Sequence, residues 1–201
     1  MESKKILLVA GEASGDLHGS HLVEAVQRND PEIQFLGVGG EGLKRVGMKL
    51  LYHSQSLSVV GITEVFAKLG SILKALRALK GSLEREKPNL VILIDFPEFN
   101  LRLARIAHRK GIPILYYVSP QIWAWRPNRI KLIARLVKKM VVLFPFEVPL
   151  YEAAGVDVEW VGHPLLDIVK PTLSKEMAFK NLVWIPDEEP SAYSPEAEYT
   201  R

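Results

Sequence analysis

The sequence predicts an α/β domain, a doubly wound, Rossmann-like parallel sheet of about seven strands. Three observations carry the prediction. Short runs that are apolar from end to end recur along the chain, Ile6-Leu7-Leu8-Val9-Ala10 and Leu90-Val91-Ile92-Leu93-Ile94 most plainly. A strand covered on both faces needs such a run, whereas a half-exposed strand alternates. Longer amphipathic stretches separate the runs, as the crossovers of a parallel sheet require. The length, 201 residues, suits one domain of ordinary size and is short for two.

In chain order, the first strand is expected over residues 6–10, followed by a turn and a helix over about 14–28. A second strand is expected over 33–38, and one or two weaker ones within 50–60. The next helix covers about 69–86, with Leu69, Ile72, Leu73, Leu76, Leu79 and Leu83 on one stripe and Lys68, Lys74, Arg77, Lys80, Arg85 and Lys87 around the rest. Either it packs on the sheet with a basic face in water, or its start, with Val59, Val60, Ile62, Val65 and Phe66 before it, docks on a membrane. The strand at 90–94 leads into a helix over 98–110 and a strand over 112–118. A basic helix over 127–138 and strands over 140–144 and 156–161 complete the domain, which is expected to occupy 1–182. Residues 183–201 hold three prolines, five acids and few aliphatics. That composition makes no core and is expected to be a disordered acidic tail.

Composition narrows the function classes. The hydrophobic fraction of 48% and the charged fraction of 24% are those of a globular protein and exclude wholesale disorder. No apolar run approaches eighteen residues, so no transmembrane helix is expected, and the chain leads straight into its first strand without a signal-peptide core. Cysteine is absent, which excludes a disulfide scaffold, a thiolate metal site and a cysteine nucleophile, and fits a reducing cytoplasm. The net charge of +3 is unevenly spread: residues 99–146 carry ten Lys or Arg and no acid, and without the tail the body has 25 bases and 18 acids. A basic body favours anionic partners, namely phosphates, nucleic acid or an acidic membrane surface.

Ligands of open α/β sheets bind outside the carboxyl ends of the strands, so the loops that follow strands are candidate site walls. The first is Gly11-Glu12-Ala13-Ser14-Gly15-Asp16-Leu17-His18. It departs from G-x-G-x-x-G, and its carboxylates repel a pyrophosphate. It suits hydroxyl or amide groups; alternatively Ser14 is an N-cap and Asp16 favours the helix dipole. The loop after 90–94 is Asp95-Phe96-Pro97-Glu98-Phe99-Asn100. Asp95 projects into the cleft as a general base, or serves as an N-cap. Glu98 reads as an ordinary first-turn acid.

The next loop contains Ser119-Pro120-Gln121-Ile122-Trp123-Ala124-Trp125-Arg126 and then Arg129. Indoles stack on sugars or bases and arginines grip phosphates; packing is the other reading of the two tryptophans. Phe144-Pro145-Phe146-Glu147 and Gly162-His163-Pro164 close the last two strands. His163 alone reads as a satisfied histidine. No metal-binding spacing of His, Cys or carboxylates appears, so no metal is expected.

Taken together with Gly37-Val38-Gly39-Gly40, these loops resemble the amino-terminal half of lipid-A-disaccharide synthase, over about residues 5–182. The resemblance implies the amino-terminal domain of a GT-B type, inverting glycosyltransferase. Such an enzyme transfers 2,3-diacylglucosamine from its UDP conjugate to 2,3-diacylglucosamine 1-phosphate, forming the β-1,6 disaccharide of lipid A and UDP. It implies no cofactor or metal, an acylated glucosamine phosphate lipid as partner, and a cytoplasmic position peripheral to the inner membrane of a Gram-negative-type bacterium, with a homodimer in full-length members. Asp95 then corresponds to the base for the acceptor 6-hydroxyl, and Glu12 orients or helps activate the same region. Ser14, Gly15, Asp16, Asn100, Ser119, Gln121, Trp123, Trp125, Arg126 and Arg129 fall on the acceptor side. Among them Ser14, Asn100 and Gln121 suit hydroxyl or amide groups, and Arg126 and Arg129 the 1-phosphate. His18, Glu147 and His163 are further cleft residues.

Family members continue after about Leu182 into a donor domain, whereas here the chain runs on as Val183-Trp184-Ile185-Pro186-Asp187. The expectation is that this chain lacks the donor half and has little transferase activity alone. The alternative is a non-catalytic acceptor-lipid or membrane-surface binding domain. Nucleic-acid binding through the basic stretch lacks any accompanying motif, and a nicotinamide oxidoreductase is disfavoured by the acidic first loop.

Overall fold

The computed structural model describes residues 4–56, 64–120, 129–167 and 177. Two compact units divide the chain, Met1–Pro164 and Leu165–Arg201. The first holds seven strands: β1 (Lys5–Ala10), β2 (Gln34–Gly39), β3 (Lys49–His53), β4 (Leu90–Ile94), β5 (Ile114–Tyr117), β6 (Lys139–Val142) and β7 (Val158–Trp160). Its helices are α1 (Ala13–Asn29), α2 (Glu41–Arg45), α3 (Glu64–Glu86), α4 (Pro97–Arg109), α5 (Arg129–Leu136) and α6 (Val148–Glu152). Of the second unit, residues 165–167 continue a 3-10 turn begun at Pro164, and Leu166 and Met177 are exposed.

All seven strands are parallel, in the order β3-β2-β1-β4-β5-β6-β7. The apolar runs explain why. Successive side chains of a strand point to opposite faces, and both faces here are covered. Leu7, Val9, Val91 and Leu93 join one core cluster with Ala75, Leu79 and Leu83 of α3, Phe99, Leu103, Ala104 and Ala107 of α4, and Ile133 of α5. Ile6, Leu8, Ala10, Ile92 and Ile94 join the other, with Val23 of α1 and Leu43 of α2. A polar residue at any of these strand positions would lose about 1.5–3 kcal/mol of apolar burial before any unsatisfied bond is counted.

Within the sheet, a side chain at Gly37 would overlap the carbonyl of Leu8 on β1. Only glycine lets β2 lie against β1 there.

Elements differ from the sequence expectation mainly at their ends. β5 is confined between Pro113, which has no N–H to give the ladder, and Val118, whose φ of 63° turns the chain out of the strand. The region 50–60 contributes one strand, β3, followed by a 3-10 turn at Ser54–Ser56; residues 57–60 lie outside the described ones. The helix expected from 69 begins at Glu64. The helices α2 and α6 are additions to the expectation. No helix among the described residues is long and apolar enough to cross a membrane.

Candidate active site

The order of strands reverses between β1 and β4, which lie side by side although β2 and β3 separate them in sequence. Loops leaving two such strands diverge to opposite faces and open a crevice at their carboxyl ends. Ala10 pairs with Ile94, so Gly11-Glu12 and Asp95-Phe96 are neighbours at the mouth of that crevice. The Phe96 ring lies over Gly11 so closely that any side chain at position 11 would overlap it. The same ring stacks on Phe99, with centroids 5.5 Å apart.

Asp95 is half-buried and Glu12 exposed. Burial raises the Asp95 carboxyl above its ordinary range, the nearby charge of Glu12 raises it further, and the Phe96 N–H pulls the other way. A carboxylate whose proton affinity is raised while it stays open to a cleft suits a general base.

The backbone that carries Asp95 is unusual. Asp95 and Phe96 have φ of 43° and 46°, two consecutive non-glycine residues in the left-handed region, at a cost of about 1–3 kcal/mol each. Asn100 Nδ2 donates to the Asp95 carbonyl at 2.7 Å and to the Ile94 carbonyl at 3.1 Å. The Tyr116 hydroxyl donates to the same Asp95 carbonyl at 2.6 Å. Burial, and then the charge of Asp95, push the Tyr116 phenol well above its usual range, so it remains a donor at any working pH.

These contacts give several sequence-level candidates a definite place. Asn100 is 0% exposed; its amide holds backbone and has no surface to offer a hydroxyl of a ligand. The N-cap of α4 is Phe96, so Asp95 is not the cap. The N-cap of α1 is Glu12, without a side-chain cap bond, and Ser14 is an exposed first-turn residue instead of the cap. Gly15 is buried, where a Cβ would sit 3.4 Å from both Ala10 and Ile94, and brings α1 close to the sheet. Asp16 accepts the N–H groups of Gly40, Gly42 and Leu43 at 2.6, 2.8 and 3.2 Å. It therefore caps α2 on one flank of the crevice, where the free N–H groups of a helix start attract a carboxylate.

Ser119 is buried and shares a 2.6 Å hydrogen bond with the Tyr151 hydroxyl. Glu147 is also buried, and its Oε2 accepts the Phe144 N–H at 3.2 Å. Ser119 thus ties the loop after β5 to α6, and Glu147 closes its own turn at Phe144. Arg129 opens α5 and donates to Glu98 Oε1 at 2.6 Å. With Arg102 and Arg105 it lines a groove of about 220 Å³ against α4, and an anion at Arg129 competes with Glu98. His18 is buried and meets His163 edge to face, centroids 6.0 Å apart, with Tyr117 on another side at 6.5 Å. Burial lowers the His18 imidazole below its usual range, and His163 and His21 lower it further. Gln121, Trp123, Trp125 and Arg126 lie outside the described residues.

Tyr116 and Tyr151 escaped sequence reasoning. Each sits among apolar residues and reads as core; the available signal is that a buried tyrosine hydroxyl needs a partner. Among the described residues, no group of three or more His, Asp or Glu is placed to hold a metal.

Residues 6–193 match the family model for lipid-A-disaccharide synthetase. The chain belongs to this family. It is 54% identical over 176 residues to the lipid-A-disaccharide synthase of Syntrophus aciditrophicus, covering 88% of this chain and 46% of that protein. With the synthase of Geobacter metallireducens the identity is 51%, with the same coverage. The chain thus spans about half the length of the curated relatives it matches. The match to the family runs on past Leu182 to residue 193.

Solved structures agree on the fold. The UDP-GlcNAc 2-epimerase of Neisseria meningitidis superposes with a TM-score of 0.60 at 15% identity, over 81% of this chain and 47% of that one. MurG of Acinetobacter baumannii gives 0.52 at 16%, over 86% and 47%. This member of the lipid-A-disaccharide synthetase family accordingly has the Rossmann-like α/β fold found in those two proteins, with Asp95 and Glu12 at its switch point.

Proposed function

We propose that this chain supplies the acceptor side of a transferase that joins 2,3-diacylglucosamine, from its UDP conjugate, to 2,3-diacylglucosamine 1-phosphate. The observation that carries the reading is the half-buried Asp95 beside Glu12 at the β1/β4 switch point of a chain of this family. Asp95 takes the proton of the acceptor 6-hydroxyl as that oxygen bonds to C1 of the donor sugar. The bond from C1 to the UDP oxygen breaks in the same displacement, so C1 inverts and the product is β-1,6 linked. Glu12 serves twice: its charge raises the proton affinity of Asp95, and its exposed carboxylate accepts from an acceptor hydroxyl. Charge on the leaving UDP is met by helix N-termini and cationic side chains.

Arg126 and Arg129 are assigned to the acceptor 1-phosphate, Arg129 exchanging Glu98 for it, and Trp123 and Trp125 to the sugar faces. The basic body, 25 bases to 18 acids over residues 1–182, favours an anionic lipid surface. We place the protein there, on the cytoplasmic side.

The test is turnover by the chain fused to the carboxyl-terminal half of the Syntrophus aciditrophicus relative, given both lipid substrates. The proposal expects UDP and a β-linked disaccharide in equal amounts. UDP release without disaccharide, or an α linkage, would contradict it.

A further inference from the structure

Two local costs of the fold fall at one place. Asp95 and Phe96 are both left-handed without being glycine, and the Oδ1 of the fully buried Asn100 accepts no hydrogen bond among the described residues. Selection for stability alone removes such features, and they persist where the geometry they impose is used. What the Asn100 amide does with its other end is specific: Nδ2 donates to the carbonyls of Ile94 and Asp95 at 3.1 and 2.7 Å. The Tyr116 hydroxyl reaches the Asp95 carbonyl from the neighbouring strand at 2.6 Å, and the Asn100 N–H donates to the Phe96 carbonyl at 3.0 Å. The Phe96 ring is trapped between Gly11 and Phe99.

We infer that Asn100 and Tyr116 are positioning residues: their two hydrogen bonds to one carbonyl hold the Asp95–Phe96 turn left-handed and aim the Asp95 carboxylate into the crevice beside Glu12. With both donors in place the Asp95 peptide cannot rotate back to the extended form that a continuing β4 prefers. In that extended form the next side chain of the strand would point to the opposite face. Neither Asn100 nor Tyr116 needs surface in the crevice to act this way, which fits their complete burial. The inference rests on the reading of Asp95 as the base for its purpose, but its measurement does not.

The experiment is carbon-detected NMR of the Asp95 carboxyl across pH on the 201-residue chain, in the wild type, Tyr116→Phe and Asn100→Ala. The charged group acting on the Asp95 carboxyl is Glu12, and the titratable Tyr116 hydroxyl holds the Asp95 carbonyl, with Arg129 a further charge felt by Tyr116, so Glu12→Gln is run alongside to isolate its share. The expected result is that Tyr116→Phe keeps the folded circular dichroism spectrum. The Asp95 midpoint then falls toward the ordinary carboxylate value, and the Asp95 and Phe96 Cα shifts lose their left-handed signature. Asn100→Ala is expected to do the same more strongly; if it does not fold, Tyr116→Phe decides. An unmoved midpoint and unmoved Cα shifts in a folded Tyr116→Phe would overturn the inference. Loss of transfer in Asp95→Asn with no response in Tyr116→Phe would retain the base and reject the positioning pair; the opposite pattern would retain the pair and reject the base.

Discussion

Asp16 and Gly40 are 24 residues apart in sequence and joined by a 2.6 Å hydrogen bond from the Gly40 N–H to the Asp16 carboxylate. The same carboxylate takes two more N–H groups from the first turn of α2. One side chain thus fastens the loop after β2 to the helix after β1, on one flank of the crevice. The two glycines are part of the arrangement, since a Cβ at Gly40 or Gly42 would come within 2.8 or 2.7 Å of a carboxylate oxygen.

Asp16→Ala is expected to lower unfolding free energy by roughly 2 kcal/mol, the loss of a strong cap with donors left partly unmet. Asp16→Asn, which keeps one carbonyl oxygen, should lose less. Urea unfolding followed by circular dichroism measures both; an Asp16→Ala variant within a few tenths of the wild type would contradict the cap.

Gly11→Ala places a methyl group on the Phe96 ring, and that ring has Phe99 on its other side. The expected cost is about 1–3 kcal/mol, the usual range for overpacking, with displacement of the Asp95 turn. Thermal unfolding and the Phe96 amide shift in NMR report the two effects separately.

His18 gives a pH dependence of definite sign. Its imidazole is lowered by burial first and by His163 and His21 next, so the folded state binds fewer protons than the unfolded chain just below the usual value of about 6.5. Stability therefore rises with pH through the window from the lowered folded value up to about 6.5, and is fully regained above it. His18→Phe, which keeps a ring against Tyr117, should flatten that rise in denaturation midpoints measured from pH 5 to pH 8. An unchanged slope would show that His18 is not the group responsible.

Ser119 and Tyr151 form a buried pair, and burial pushes the Tyr151 phenol up to about 12 while the bond to Ser119 pulls it down. Ser119→Ala should destabilise by about 1–3 kcal/mol, because it strands a buried hydroxyl. Adding Tyr151→Phe should return much of that loss, a recovery that only a shared hydrogen bond produces in a double-mutant cycle.

Much of this was legible in the chain itself, and the exceptions have physical causes. The strands were readable because burial on both faces leaves no polar position, and the place of Asp95 and Glu12 at the mouth of the crevice followed from the carboxyl ends of β4 and β1. The helices α2 and α6, five residues each, are too short to display a 3.6-residue period. Asn100, Asp16, Ser119 and Glu147 read as ligand contacts, since a polar residue in a loop looks the same whether it faces a ligand or the backbone of the next loop. Burial decides between these, and burial depends on contacts across 24 residues for Asp16 and 32 for Ser119. Tyr116 was hidden in the opposite way, as a polar tip on a residue that counts as core.

Asp95 is assigned the role of base. The most direct measurement is the single-turnover rate of disaccharide formation by Asp95→Asn in the chain fused to a relative's carboxyl-terminal half, with unfolding midpoints taken on the same samples. The expected result is a loss of at least about 10² in rate, in the range that a positioned base contributes. The unfolding midpoint at neutral pH should be equal to or above the wild type. The Asp95 carboxyl is raised in the folded state, so its ionisation costs stability as pH climbs through the folded value, and asparagine removes that cost. A folded Asp95→Asn variant that turns over within a few-fold of the wild type would contradict the assignment of Asp95 as the base.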